Sequence, residues 1–285
     1  MKLKSLVTAT LLTTGMFASL NASSALLTFD LVDGGEFRNT IDTDGAPIVP
    51  VPGGNATETT SFISWGDTNM SNLLLTSQNS VDINAAGTPA LLSTIKHNNM
   101  PIDGPTLASG QIYGVLEMSS MGTLSTAHYK IPGSPTLADV ANAVFAEAGE
   151  TLPGGVDINN TIASLFNFTF FETLNSATPC PFGDPQPCDD KFESSLFGGI
   201  PIPIQIKLLI DSEAYMLTIF NTFDMNGDIN TAIMSVNGMA EFLTEESAMT
   251  TLYTFAQLMY VPEPSTLGVL GLGLLGMASR RKMLS

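Results

Sequence analysis

Residues 200–210 read Ile-Pro-Ile-Pro-Ile-Gln-Ile-Lys-Leu-Leu-Ile, with a branched aliphatic at every second position. Side chains alternate between the two faces of a strand. Ile200, Ile202, Ile204, Ile206, Leu208 and Ile210 therefore share one face, and Pro201, Pro203, Gln205, Lys207 and Leu209 the other. A period of two sustained over this length fits a half-buried strand and no helix. The two prolines donate no backbone hydrogen bond, which places the start of this strand at a sheet edge. A short turn at Asp211, Ser212 and Glu213 leads into residues 214–223 and completes a predicted hairpin.

Similar patterns, punctuated by Gly, Pro, Asn and Asp, predict strands at residues 26–32, 59–65, 111–118, 165–172, 230–236 and 250–261. One segment, residues 135–148, has another period. There Leu137, Val140, Ala141, Val144 and Phe145 recur at helical intervals, predicting one short inserted helix. The Pro/Gly-rich residues 42–55 read as a long loop. Many short strands joined by turns, with no internal repeat, predict a mainly β protein: an antiparallel β-sandwich of jelly-roll-like type.

Both ends carry a different kind of pattern. Lys2 and Lys4 precede an apolar stretch over residues 6–20, and Ser23, Ser24 and Ala25 offer a small-residue cleavage site. This is the pattern of a signal peptide over residues 1–25, with the mature chain starting at Leu26. At the other end Pro262, Glu263 and Pro264 hold the chain extended, residues 266–278 are uncharged, and Arg280, Arg281 and Lys282 follow. At a rise of ~1.5 Å per residue that span covers roughly 20 Å, short of a hydrocarbon core of about 30 Å. The basic triplet, set on the cytoplasmic side, snorkels to the headgroups and lengthens the effective span. A C-terminal transmembrane helix is expected, giving three parts: residues 1–25, 26–261 and 262–285. Residues 271–276 also match GxGxxG, but prolines rather than a strand precede them, so no dinucleotide site is expected.

The tail, with Pro262, Glu263 and Pro264, then residues 266–278, then Arg280, Arg281 and Lys282, resembles the PEP-CTERM sorting signal of Gram-negative bacteria. The resemblance implies processing by exosortase, a membrane cysteine transpeptidase, after passage through the secretion machinery. It also implies an inner-membrane-anchored precursor held by its C-terminal helix, then a surface or extracellular product linked to exopolysaccharide and biofilm.

An exported chain with Cys180 and Cys188 in one Pro-rich loop is expected to hold them as a disulfide. Zinc would need more soft ligands, and the chain has only two histidines. Net charge is −17, and between residues 26 and 262 the only basic residues are Arg38, Lys96, Lys130, Lys191 and Lys207. Such a surface repels nucleic acid and anionic lipid. It suits a soluble extracellular protein meeting cations or neutral glycans, or charge kept for solubility alone.

Candidate chemistry is sparse. Asp224, Asn226 and Asp228 alternate around Gly227, as oxygen ligands of calcium do, yet the EF-hand glycine and glutamate positions are not matched. An Asx-rich turn explains the same residues. Asp42 and Asp44 form a weaker version of the pattern. His97 and His128 are the only histidines, and neither a GxSxG elbow nor an HExxH helix is present. His97 is expected to make a structural hydrogen bond in a loop beside Asn98 and Asn99. A second resemblance is to the THxN group of PEP-CTERM proteins. It rests on Trp65-Gly66, on Lys96 to Asn99 with Pro101 and Ile102, on Phe171-Glu172-Thr173, and on Cys180 with Cys188-Asp189-Asp190; Lys96 stands where the namesake threonine would. That group implies no activity. The sequence is therefore expected to be a non-enzymatic surface or matrix protein without a required cofactor. The alternatives are a glycan-binding module using Trp65 or a tyrosine as a stacking platform, and a hydrolase with two carboxylates facing across a cleft.

Overall fold

The computed structural model describes residues 25–173, 179–183, 188–236 and 238–261. Its strands are β1 (Leu26–Asp42), β2 (Val51–Gly54), β3 (Glu58–Trp65), β4 (Ser71–Gln78), β5 (Ser80–Asn84), β6 (Ala90–Asn98), β7 (Leu107–Ser120) and β8 (Leu124–Tyr129). After the helix α1 (Leu137–Ala148) come β9 (Thr161–Phe171), β10 (Asp190–Leu196), β11 (Ile204–Ile210), β12 (Glu213–Thr222), β13 (Met239–Thr244) and β14 (Met249–Tyr260). They form two antiparallel sheets, ordered β13-β10-β9-β7-β1-β5 and β2-β3-β4-β6-β14-β12-β11-β8. The expected β-sandwich is present.

The alternating segment behaves as its period demands. Ile200, Ile202, Ile204, Ile206, Leu208 and Ile210 are all buried, while Lys207 is exposed. Its hairpin with β12 closes at Ile210 and Glu213. Three expectations are corrected. The ladder starts only at Ile204, after both prolines, so nothing bars neighbours on either side; β8 pairs outside β11 and takes the edge. Residues 230–236 form no strand. Asp228 caps a 3-10 turn over Ile229–Thr231, and Met234 and Val236 point to solvent. The stretch predicted as a loop at 42–55 contains β2, an edge strand on β3.

Helix α1 is capped by a reciprocal pair of bonds: Thr136 Oγ1 accepts from Asp139 N, and Asp139 Oδ2 accepts from Thr136 N. It stops at Gly149, whose φ of +70° is the left-handed cap that glycine favours. Ala141, Val144 and Phe145 cover the outer face of the six-stranded sheet at Tyr113, Val115, Ala163 and Leu165. Between the sheets the core has two characters. One end is aliphatic, built on Leu27, Ile83, Ile206, Leu208, Leu217 and Leu258. The other is aromatic, built on Phe37, Trp65, Phe168, Phe170 and Phe192.

Candidate carboxylate site

The aromatic end is where acidic residues enter the interior. Strands β9 and β10 pair with Phe171 opposite Lys191, so the residues just beyond, Glu172 and Asp190, meet at the same end of the sheet. Strand β13 pairs Thr244 with Asp190, and the chain then crosses at Glu245 and Glu246 into β14 of the other sheet. There Met249 lies opposite Asn98, and Asn99 N donates to Ala248 O at 3.0 Å. Four separate segments thus converge by register alone.

One oxygen each of Glu172, Asp190 and Glu246 lies within 4.8 Å of the others. Asp190 is 0 % exposed and Glu246 6 %. Asp190 Oδ1 accepts from Thr173 N at 2.9 Å, and Thr173 Oγ1 also reaches Cys188 O at 3.0 Å, tying the disulfide loop to the site. Asp190 Oδ2 and Glu172 Oε2 are buried and take no hydrogen bond among the described residues. Burial, with the neighbouring charges of Asp190 and Glu246, pushes Glu172 up to about 8, tempered by the Trp65 indole beside it. Burial likewise pushes Asp190 up to about 7, against the Thr173 amide, which holds it down. Carboxylates crowded in a low-dielectric pocket resist carrying several charges at once.

An aromatic wall backs the cluster. Trp65 stacks on His97, with centroids 5.6 Å apart and planes at 25°, and both meet Phe170 edge-on. His97 is on β6 rather than in a loop. Its Nδ1 lies 3.0 Å from Thr244 Oγ1, and burial lowers its pKa to about 3, so the ring is neutral. It makes a buried hydrogen bond, as expected, but from a strand rather than a loop.

The other candidates lie elsewhere. Asp224 Oδ1 accepts from Asn226 N at 3.0 Å and Nδ2 at 2.9 Å; Asp228 Oδ1 accepts from Asn230 N at 2.9 Å. These are successive Asx turns at the surface. Asp42 Oδ1 serves Asp44 N and Ala46 N in the same way. His128, on β8, has Nδ1 3.2 Å from Ser134 O and belongs to no cluster of acidic or metal-ligating side chains among the described residues. Trp65 is 3 % exposed, so it is no open platform for a sugar; Tyr113, Tyr129 and Tyr215 are buried too. Cys180 and Cys188 form the expected disulfide, Cα–Cα 5.3 Å. Pro262, Glu263, Pro264, Arg280, Arg281, Lys282, the expected tail helix and residues 1–24 lie outside the described residues. Among those described, no helix is long and apolar enough to cross a membrane.

Sequence reading singled out Trp65, His97, Asn99, Glu172, Thr173, Cys188 and Asp190 without bringing them together. It missed Glu246, whose only local signal is an acidic pair in a turn. A family model of the PEP-CTERM protein-sorting motif matches residues 261–282. The chain carries a PEP-CTERM protein-sorting motif. That motif marks an exported protein processed by exosortase. No curated protein matches the chain.

Proposed function

We propose that this PEP-CTERM protein is a non-enzymatic component of the cell surface or extracellular matrix of a Gram-negative bacterium, associated with exopolysaccharide. The sorting motif carries the reading, because it supplies the export route. An acidic, disulfide-holding β-sandwich is a suitable cargo for that route. The acidic cluster lies behind Trp65, with Asp190 and Glu246 buried, and lines neither the cavity between the sheets nor the one beside Trp65, which speaks against a sugar-cleaving cleft. The residues that resemble the THxN group, from Trp65 through His97 and Asn99 to Glu172, Thr173 and Asp190, gather at one place, which supports placing the chain in that group.

Intact mass of the protein recovered from envelope, medium and matrix polysaccharide tests this. The expected species runs from Leu26 to near Pro262, lacks two hydrogens, and leaves the matrix when the polysaccharide is digested. A mass retaining residues 280–285 in the membrane fraction would overturn the sorting part. Turnover of a glycan by the purified protein would overturn the non-enzymatic part.

A further inference from the structure

We propose that Glu172, Asp190 and Glu246, with the amide oxygen of Asn99, form a calcium site that clasps the two sheets together. All the donors are hard oxygens, the set calcium takes, with no thiolate or imidazole to favour zinc or copper. Three oxygens all within 4.8 Å of one another share a point no more than ~2.8 Å from each, so a shift of a few tenths of an ångström brings all three to a calcium–oxygen bond of ~2.4 Å.

The electrostatics ask for a cation, and the described basic residues do not supply one. Arg38 is paired with Glu36 and Glu150, and Lys191 with Glu193. Lys96, Lys130 and Lys207 are exposed. Asp190 meanwhile keeps Oδ2 buried without a hydrogen bond.

A second observation is independent of the acids. Asn99 is 0 % exposed, and its Oδ1 is buried with no donor. It is Nδ2 that faces Asp190, holding its carboxylate down, and that donates to Glu245 O at 3.4 Å. Turning the amide about its last torsion exchanges Nδ2 for Oδ1 at that place. The side chain can then serve as a hydrogen-bond donor without the ion and as a ligand with it. Glu245 O lies alongside as a backbone ligand, and water or bidentate carboxylates complete the six to eight oxygens calcium takes.

The placement gives the ion a job. Glu172 and Asp190 come from the six-stranded sheet, Asn99 from the eight-stranded sheet, and Glu246 from the crossover between them. Thr173 extends the clasp to the disulfide loop. A cation bound there stabilises the folded state alone, as any ligand absent from the unfolded chain does.

Trp65 is the only tryptophan and lies against Glu172, which makes it a built-in antenna. The full chain, stripped with a chelator, is titrated with terbium chloride under tryptophan-selective excitation. Sensitised emission is expected, with displacement by calcium chloride. Calcium at about 100 times Kd should raise Tm by roughly 5–10 °C. Glu172→Gln and Glu246→Gln should each weaken binding roughly tenfold or more. Trp65→Phe should remove the emission while leaving the calcium-dependent rise in Tm, which keeps the test valid if either Gln variant fails to fold. Absent emission, emission surviving in both Gln variants, or a Tm indifferent to calcium overturns the proposal. Displacement by magnesium but not calcium overturns the choice of ion.

Discussion

Two groups of acidic oxygens in this chain are built in opposite ways. Asp224, Asn226 and Asp228 lie in one short stretch at the surface, and the two Asp carboxylates serve backbone amides two to four residues on. Glu172, Asp190 and Glu246 are scattered in sequence and gathered by strand register, the first half-buried and the other two buried, and two of their oxygens take no hydrogen bond among the described residues. A run of Asp and Asn in sequence therefore reports turn chemistry first. A site with oxygens to spare is made where the backbone has already satisfied itself in sheets. The two groups should respond differently to perturbation.

The largest difference is expected in their surroundings. Trp65→Ala removes the stack on His97 and the edge contact with Phe170, and leaves a cavity behind the cluster. It should cost about 3–5 kcal/mol by chemical denaturation, with the slope of the transition unchanged. The loop at Asp224 has no comparable wall. A cost at Trp65 no larger than that of a surface substitution would mean the cluster is not packed as described.

Next is the disulfide. Replacing Cys180 and Cys188 together by Ser reopens a short loop, worth about 2.5 kcal/mol in the chain-entropy model and roughly 5–10 °C in Tm. Because Thr173 links Cys188 O to Asp190, the loss should extend to the buried cluster and spare the Asp224 loop. Hydrogen exchange, comparing the Thr173 and Asn226 amides, would check this. Equal acceleration at both sites would break the distinction.

A pH series sharpens the comparison further. Glu172 and Asp190 have folded values of about 8 and about 7, above their ordinary 4.5 and 3.8. The folded state then holds protons that the unfolded state has released. Stability from these groups is present at low pH and is lost as pH rises towards 8. His97 has the opposite sign, since its lowered value makes the unfolded chain bind more protons between about 3 and 6.5. The two effects oppose each other below pH 6.5, so the carboxylates are seen alone above it. Chelated protein should lose stability from pH 6.5 to 8, on the order of 1–2 kcal/mol or a few degrees in Tm. Glu172→Gln should flatten that slope. A rising slope in this window would mean the cluster is ionised and paired.

Much of the sandwich was readable in the chain because alternation was clean where both sheets bury aliphatics. Ile200 to Ile210 is the best case. Strands β4 and β10 went unread because polar residues fill inward positions: Ser71 and Ser77 alternate with Leu73 and Leu75, and Asp190 precedes Phe192. Residues 230–236 misled for the converse reason, since their spaced apolar side chains face water. At the site, individual residues stood out, but their meeting depends on pairings such as Thr244 with Asp190, which no local pattern encodes.

The smallest effect should come from the Asp224 loop. Its carboxylate is held below its ordinary range mainly by the Asn226 amide, with the Asp228 amide adding to it, so what the loop uses is an acceptor. Asp224→Ala removes that acceptor and should lower Tm by less than any change above. Asp224→Asn keeps an oxygen in the same position and should lower it less still, as Asn forms the same turn. Neither variant should alter the terbium emission or the calcium-dependent rise in Tm. If Asp224→Asn abolished that rise while Glu172→Gln left it intact, charge rather than turn geometry would be what the loop supplies. The contiguous group would then be the cation site and the buried one a proton-sharing core.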